Sequence, residues 1–168
     1  MATSEPCYSW NLFHSWQLGD RLRFLEGMYS LFAGAYSRQT YTVCETRGGI
    51  TGCTHWLPSV LLARLAVIDD QIAEGELHLL RLMPLAWLKA GTPARFENMP
   101  TEFGPVTLRV ERTGNGSALS VSFTPQFKTR PARVVLHVPP AQGLERVLWN
   151  GRSLPWDGRA RELIVPYR

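Results

Sequence analysis

With 168 residues, 45% of them hydrophobic, the chain is long enough for one ordinary domain or two small ones, and its composition excludes global disorder. The formal net charge of +4 rests on arginine, since Lys89 and Lys128 are the sole lysines. The basic residues are scattered, and the densest stretch, 152–168, also holds Asp157 and Glu162, so the basic stripe of a nucleic-acid footprint is missing and no nucleic-acid partner is expected.

The first six residues, Met-Ala-Thr-Ser-Glu-Pro, show neither a basic n-region nor an apolar h-region, so no secretory signal is expected there. Localisation stays open, and is cytoplasmic if this N-terminus is the native one. The longest apolar run, around 56–68, is broken by Pro58 and Arg64 and is too short to span a bilayer, so no membrane partner is expected. Three cysteines, Cys7, Cys44 and Cys53, do not make a disulfide framework, although Cys44 and Cys53 are placed to bridge their loop under oxidation. No Cys-x-x-Cys pair occurs, and no metal or cofactor is expected.

Residues 1–16 are rich in Trp, Phe and Ser without a clear period. From Leu18, apolar residues recur at spacings of three and four (Leu18, Leu22, Leu25, Tyr29, Phe32), which predicts a helix ending near Ser37. The stretch 38–55 reads as a loop, with Gly48, Gly49 and Gly52. A second helix is predicted over 57–68, with Pro58 in its first turn and apolar residues round much of its circumference, as in a buried helix. The acidic pair Asp69-Asp70 sits at the end that disfavours anions, so the helix is expected to stop before it.

From Glu76 the period changes. Strands are predicted at 76–82, 94–98, 105–112, 118–124, 132–138, 145–148 and 162–165, and a short helical turn at 84–89. Alternation is clearest in Val106-Thr107-Leu108-Arg109-Val110. Turn signals separate the strands, and Asn150-Gly151 fits a type I′ hairpin turn. The expected class is α+β: a short helical segment over 1–72, then an antiparallel β-sandwich over 73–168.

Two stretches, Glu-Leu-His-Leu-Leu-Arg-Leu-Met-Pro-Leu-Ala-Trp-Leu-Lys-Ala-Gly at 76–91 and Asn-Met-Pro-Thr-Glu-Phe-Gly-Pro-Val-Thr-Leu-Arg-Val at 98–110, carry a resemblance, as does Val147–Gly151. They resemble the C-terminal region of bacterial six-hairpin glycosidases, whose (α/α)6 toroid leads through its last helices into a closing β-sandwich. The resemblance implies that the helical segment is part of such a toroid. A complete toroid needs at least ~190 residues, and about 70 precede the first predicted strand, so the chain would be a C-terminal portion or would complete its helical layer by oligomerising.

Glycoside hydrolysis commonly uses two carboxyl groups, one acting as acid and the other as base or nucleophile. In several toroid families the base lies in a loop before one of the last barrel helices. Glu45, the single carboxylate between Glu26 and Asp69, occupies a similar place and is the candidate general base. The plainer reading is that Glu45 pairs with Arg47 or caps a turn. No second carboxylate presents itself as the acid, and Glu26 reads as a solvated helix residue. Tyr41, Arg47, His55 and Trp56 are candidate substrate-binding residues: aromatic rings stack on sugar faces, His hydrogen-bonds hydroxyls and Arg binds anionic sugars. Each also has a packing or surface reading. Trp87 reads as a core anchor, Trp149 and Trp156 as a hairpin pair or a sugar platform, and His78 and His137 as ordinary sheet residues.

The expected activity is that of part of a glycoside hydrolase acting on oligo- or polysaccharide, with carbohydrate as partner and the remaining enzyme, or a second copy, against the helical face. The alternative is a non-catalytic β-sandwich that binds carbohydrate or protein.

Overall fold

The computed structural model describes residues 10–35 and 58–167. The chain divides into two compact units, Met1–Leu65 and Ala66–Arg168.

In the first unit, two helices form a tight hairpin: α1 (Trp10–Leu18) and α2 (Arg21–Ala35). The single helix expected from Leu18 is thus preceded by another, and the break between them has a local cause. Gly19 takes φ 69°, the left-handed conformation that ends a helix, and its N–H and that of Asp20 bond back to Trp16 and Ser15 carbonyls. Asp20 then caps α2, accepting the Arg23 N–H on its carboxylate at 3.2 Å, with its charge at the favourable helix end. Gly27 lets the helices close up, for a Cβ there would lie 2.5 Å from Leu12 Cδ2. Leu12, Trp16, Phe24 and Met28 are buried. The stripe that marked the helix in the sequence faces the other way: Leu18 and Leu22 are 66% and 68% exposed, and Tyr29 is exposed as well. So α2 is apolar on two sides.

The third helix, α3 (Pro58–Val67), ends just inside the second unit and stops before the acidic pair, as expected. It passes directly into β1 (Ile68–Asp69), so these two residues belong to a sheet. Eight further strands follow: β2 (Glu76–Leu79), β3 (Ala94–Met99), β4 (Val106–Thr113), β5 (Ala118–Pro125), β6 (Arg133–His137), β7 (Arg146–Trp149), β8 (Arg152–Ser153) and β9 (Glu162–Val165). Strand β2 ends at Leu79, short of the expected Leu82, because Leu80 adopts φ 64° and breaks the pleat.

The architecture is α+β, with a small helical part and a β-rich unit of two sheets, ordered β1-β2-β6-β9 and β3-β4-β5-β7-β8. The sheets are mixed, where a wholly antiparallel sandwich was expected. β2 pairs with β6, and β5 with β7, in parallel. The reason is topological. From β5 the chain visits β6 in the other sheet before returning beside β5, and two reversals restore its direction. Such crossovers leave no mark on the alternation of any one strand.

Both sheets have one apolar face. Leu77, Leu79, Val134, Leu136 and Val165 line that of the first; Val106, Leu108, Val110, Val121, Phe123, Val147 and Trp149 line that of the second. Trp149 links the sheets, donating Nε1–H to the Pro166 carbonyl just past β9 at 2.7 Å.

Candidate functional site

The five residues that the sequence singled out, Tyr41, Glu45, Arg47, His55 and Trp56, lie outside the described residues, as do the three cysteines. The segments that carry the resemblance are described, and they have structural work. Pro84–Leu88 makes one 3-10 turn, with Trp87 half-buried and its ring centroid 6.3 Å from that of Phe96. Thr101 closes the next turn, donating its hydroxyl to the Gly104 carbonyl and accepting the Phe103 N–H. Gly104, at φ 122°, sits where a Cβ would meet the Gln126 carbonyl oxygen at 2.5 Å. Asp70 fixes this turn to the start of the sheet by accepting the Glu102 N–H at 2.8 Å. The Asn150-Gly151 turn has φ 49° and 78°, as a type I′ turn requires. Trp149 is buried against Phe123, and Trp156 donates to the Ala160 carbonyl, so the two do not form an exposed sugar platform.

A cluster of linked polar side chains lies on the face of the four-stranded sheet opposite Leu77 and Leu79. Alternation places Glu76 and His78 of β2 together, and the parallel register brings His137 of β6 diagonally beside His78. His78 Nδ1 and His137 Nε2 are 2.8 Å apart. His78 Nε2 is 3.0 Å from Glu76 Oε2, and the other Glu76 oxygen pairs with Arg133 at 2.7 Å. At the far end, His137 Nδ1 is 3.6 Å from Glu162 on β9. Arg81 and Asp69 pair nearby at 3.7 Å. Both imidazoles are largely buried, with side chains 12% and 13% exposed.

The bonds constrain the protons. Glu76 is an acceptor, so His78 presents N–H from Nε2. With both rings neutral, His78 Nδ1 is bare and accepts from His137 Nε2–H. One added proton still leaves a donor facing an acceptor, because a doubly protonated ring donates to the bare nitrogen of the other. Burial, then the charges of His78 and Arg81, push His137 down from 6.5 to about 3. The hydrogen bond from Arg133, with that from His78, holds Glu76 below its ordinary range. From the sequence alone both histidines read as ordinary strand residues. The available signal was the alternation of Glu76 with His78, but nothing along the chain announces a partner 59 positions away.

A second polar feature lies on the outer face of the five-stranded sheet: an open groove of about 400 Å³ lined by Arg95, Glu97, Thr107, Leu108 and Arg109. Arg95 and Arg109 stand directly opposite one another, and Arg109 pairs with Glu111 at 2.6 Å. Among the described residues no group of three or more His, Cys, Asp or Glu side chains is arranged to hold a metal ion, and no helix is long and apolar enough to cross a membrane. No family model, curated protein or solved structure matches the chain.

Proposed function

We propose that the chain is the C-terminal portion of a six-hairpin glycoside hydrolase acting on oligo- or polysaccharide. The supporting observation is the apolar outer side of the helical hairpin. Leu18, Leu22 and Tyr29 are exposed on helices whose other side is already packed, which suits the end of a larger helical layer better than a finished one. In this reading Glu45 is the general base, Tyr41, Arg47, His55 and Trp56 bind the sugar, and the acid comes from the remaining barrel or a second copy. The β unit is a cap, and the resembling motifs build its turns.

A second reading is a non-catalytic module that binds carbohydrate or protein. The polar groove on the five-stranded sheet favours it, because hydroxyl-rich ligands are recognised by Arg, Glu and Thr side chains in open clefts. Incubating the full chain with glycans and aryl glycosides separates the two. Turnover that Glu45→Gln abolishes supports the hydrolase reading. Binding without turnover, unchanged in Glu45→Gln and lost in Arg109→Ala, supports the module and overturns the first.

A further inference from the structure

Strand β1 pairs with β2, and β2 has β6 on its other side. The β2–β6 seam, from Glu76↔Arg133 to Leu79↔Leu136, therefore joins the segment 68–79 to the rest of its sheet by ladder hydrogen bonds. The His78–His137 contact crosses this seam at 2.8 Å, with ring centroids 5.1 Å apart.

That contact tolerates a limited number of protons. The pair closes when both rings are neutral and when one carries an extra proton, as the bonding pattern above requires. A second extra proton sets N–H against N–H and places two cations in contact in a largely buried site, where their repulsion is poorly screened. Among the described residues, the charged groups at the pair are Glu76 on β2, Asp69 on β1, Arg81 just after β2, Arg133 on β6 and Glu162 on β9. Arg81 opposes protonation of His137, and Glu76 is already shared with Arg133.

We propose that the His78–His137 pair is an acid-triggered latch on the β2–β6 seam: it holds while the pair carries at most one extra proton, and it opens when both rings are protonated, so that β1 and β2 part from β6 while the five-stranded sheet stays folded. The inference does not depend on the glycosidase reading.

The direction in pH follows from linkage. In the closed seam His137 is held at about 3, whereas in an opened seam it returns toward its ordinary 6.5. The open form binds the proton more readily, so closure is at full strength above pH 6.5 and weakens as the pH falls from there toward 3. Glu76, held below its ordinary 4.5, adds a further loss only as the pH falls below that value.

Amide hydrogen exchange on the full chain tests the latch. Between about pH 7.5 and about pH 5, after correction for intrinsic exchange, Leu77, Leu79, Val134 and Leu136 are expected to lose roughly tenfold more protection than Val110 and Val121. In His137→Gln, which stays neutral, that difference disappears. Equal losses in both sheets, or an unchanged difference in His137→Gln, overturn the proposal. If the variant does not fold, nitrogen-15 titration of the wild-type rings decides. Proton uptake by His137 that coincides with loss of seam protection supports the latch, and uptake near 6.5 with the seam still protected overturns it.

Discussion

On the five-stranded sheet, β4 turns Thr107, Arg109 and Glu111 outward, and β5 adds Ser120, Ser122 and Thr124 beside them. Arg109 is opposite Arg95 on one side and Ser122 on the other, and finds its counter-ion two residues along its own strand. On the four-stranded sheet, Glu76 is opposite Arg133 and next to His78, and the chain of contacts continues through His137 to Glu162 on a third strand. Both faces follow the same alternation of apolar and polar residues. One ends as a solvated surface, the other as an interlocked cluster. The difference lies in which polar residue the neighbouring strand brings alongside, and that is set by crossovers far along the chain.

The comparison can be broken or sharpened by substitution. Gly104→Ala should have the largest effect, about 4 kcal/mol. The new Cβ meets a backbone carbonyl at 2.5 Å, and φ 122° is strained for any side chain, so no flexible neighbour relieves the contact. A shift in the denaturant midpoint worth less than about 1 kcal/mol would mean that the Thr101–Gly104 turn relaxes freely.

Leu79→Ala and Leu108→Ala remove fully buried side chains, one from each sheet, and should each cost about 3 kcal/mol. Both are expected to move one shared transition at neutral pH. If tryptophan fluorescence and far-ultraviolet dichroism diverge in either variant, the sheets unfold separately and must be treated as independent.

Glu76→Gln should cost about 1 kcal/mol, because besides its pair with the half-exposed Arg133 it weakens the hydrogen bond to the largely buried His78. Glu111→Gln should cost at most about 0.5 kcal/mol, since its partner Arg109 is 47% exposed. Thermal melts of the two variants side by side test the contrast. Equal costs would remove the distinction between the clustered face and the solvated one.

Much of the β unit was legible in the sequence. Alternation located β4 and β5 to within a residue, and Asn150-Gly151 announced its turn. Strand β1 was hidden, because Ile68 continues the apolar run of α3 with no breaker between. Helix α1 was hidden because Trp10–Leu18 is apolar on no single regular stripe. The stripe on α2 is helical, as its spacing predicts, and partly exposed; the packed side carries Phe24 and Met28, one turn apart, and Gly27 lies against Leu12. The imidazole pair depended on a parallel register that no local pattern encodes. The residues proposed for sugar chemistry rest on sequence resemblance, while His78 and His137, which the structure brings together, read from the sequence as ordinary sheet residues.

The long reach of the His78–His137 contact also bears on how the chain folds. Strands β3, β4 and β5 are joined by tight turns and need little loop closure, so they are expected to assemble early. The β2–β6 seam joins residues nearly sixty positions apart, carries the larger loop-closure cost and is expected to form after that meander. Substitutions at Val110 and Val121 should therefore slow folding, and those at Leu77 and Val134 should mainly speed unfolding. The same seam that acid is expected to open would then be among the last parts to close on a nascent chain, leaving β2 and β6 briefly with bare, apolar edges during synthesis.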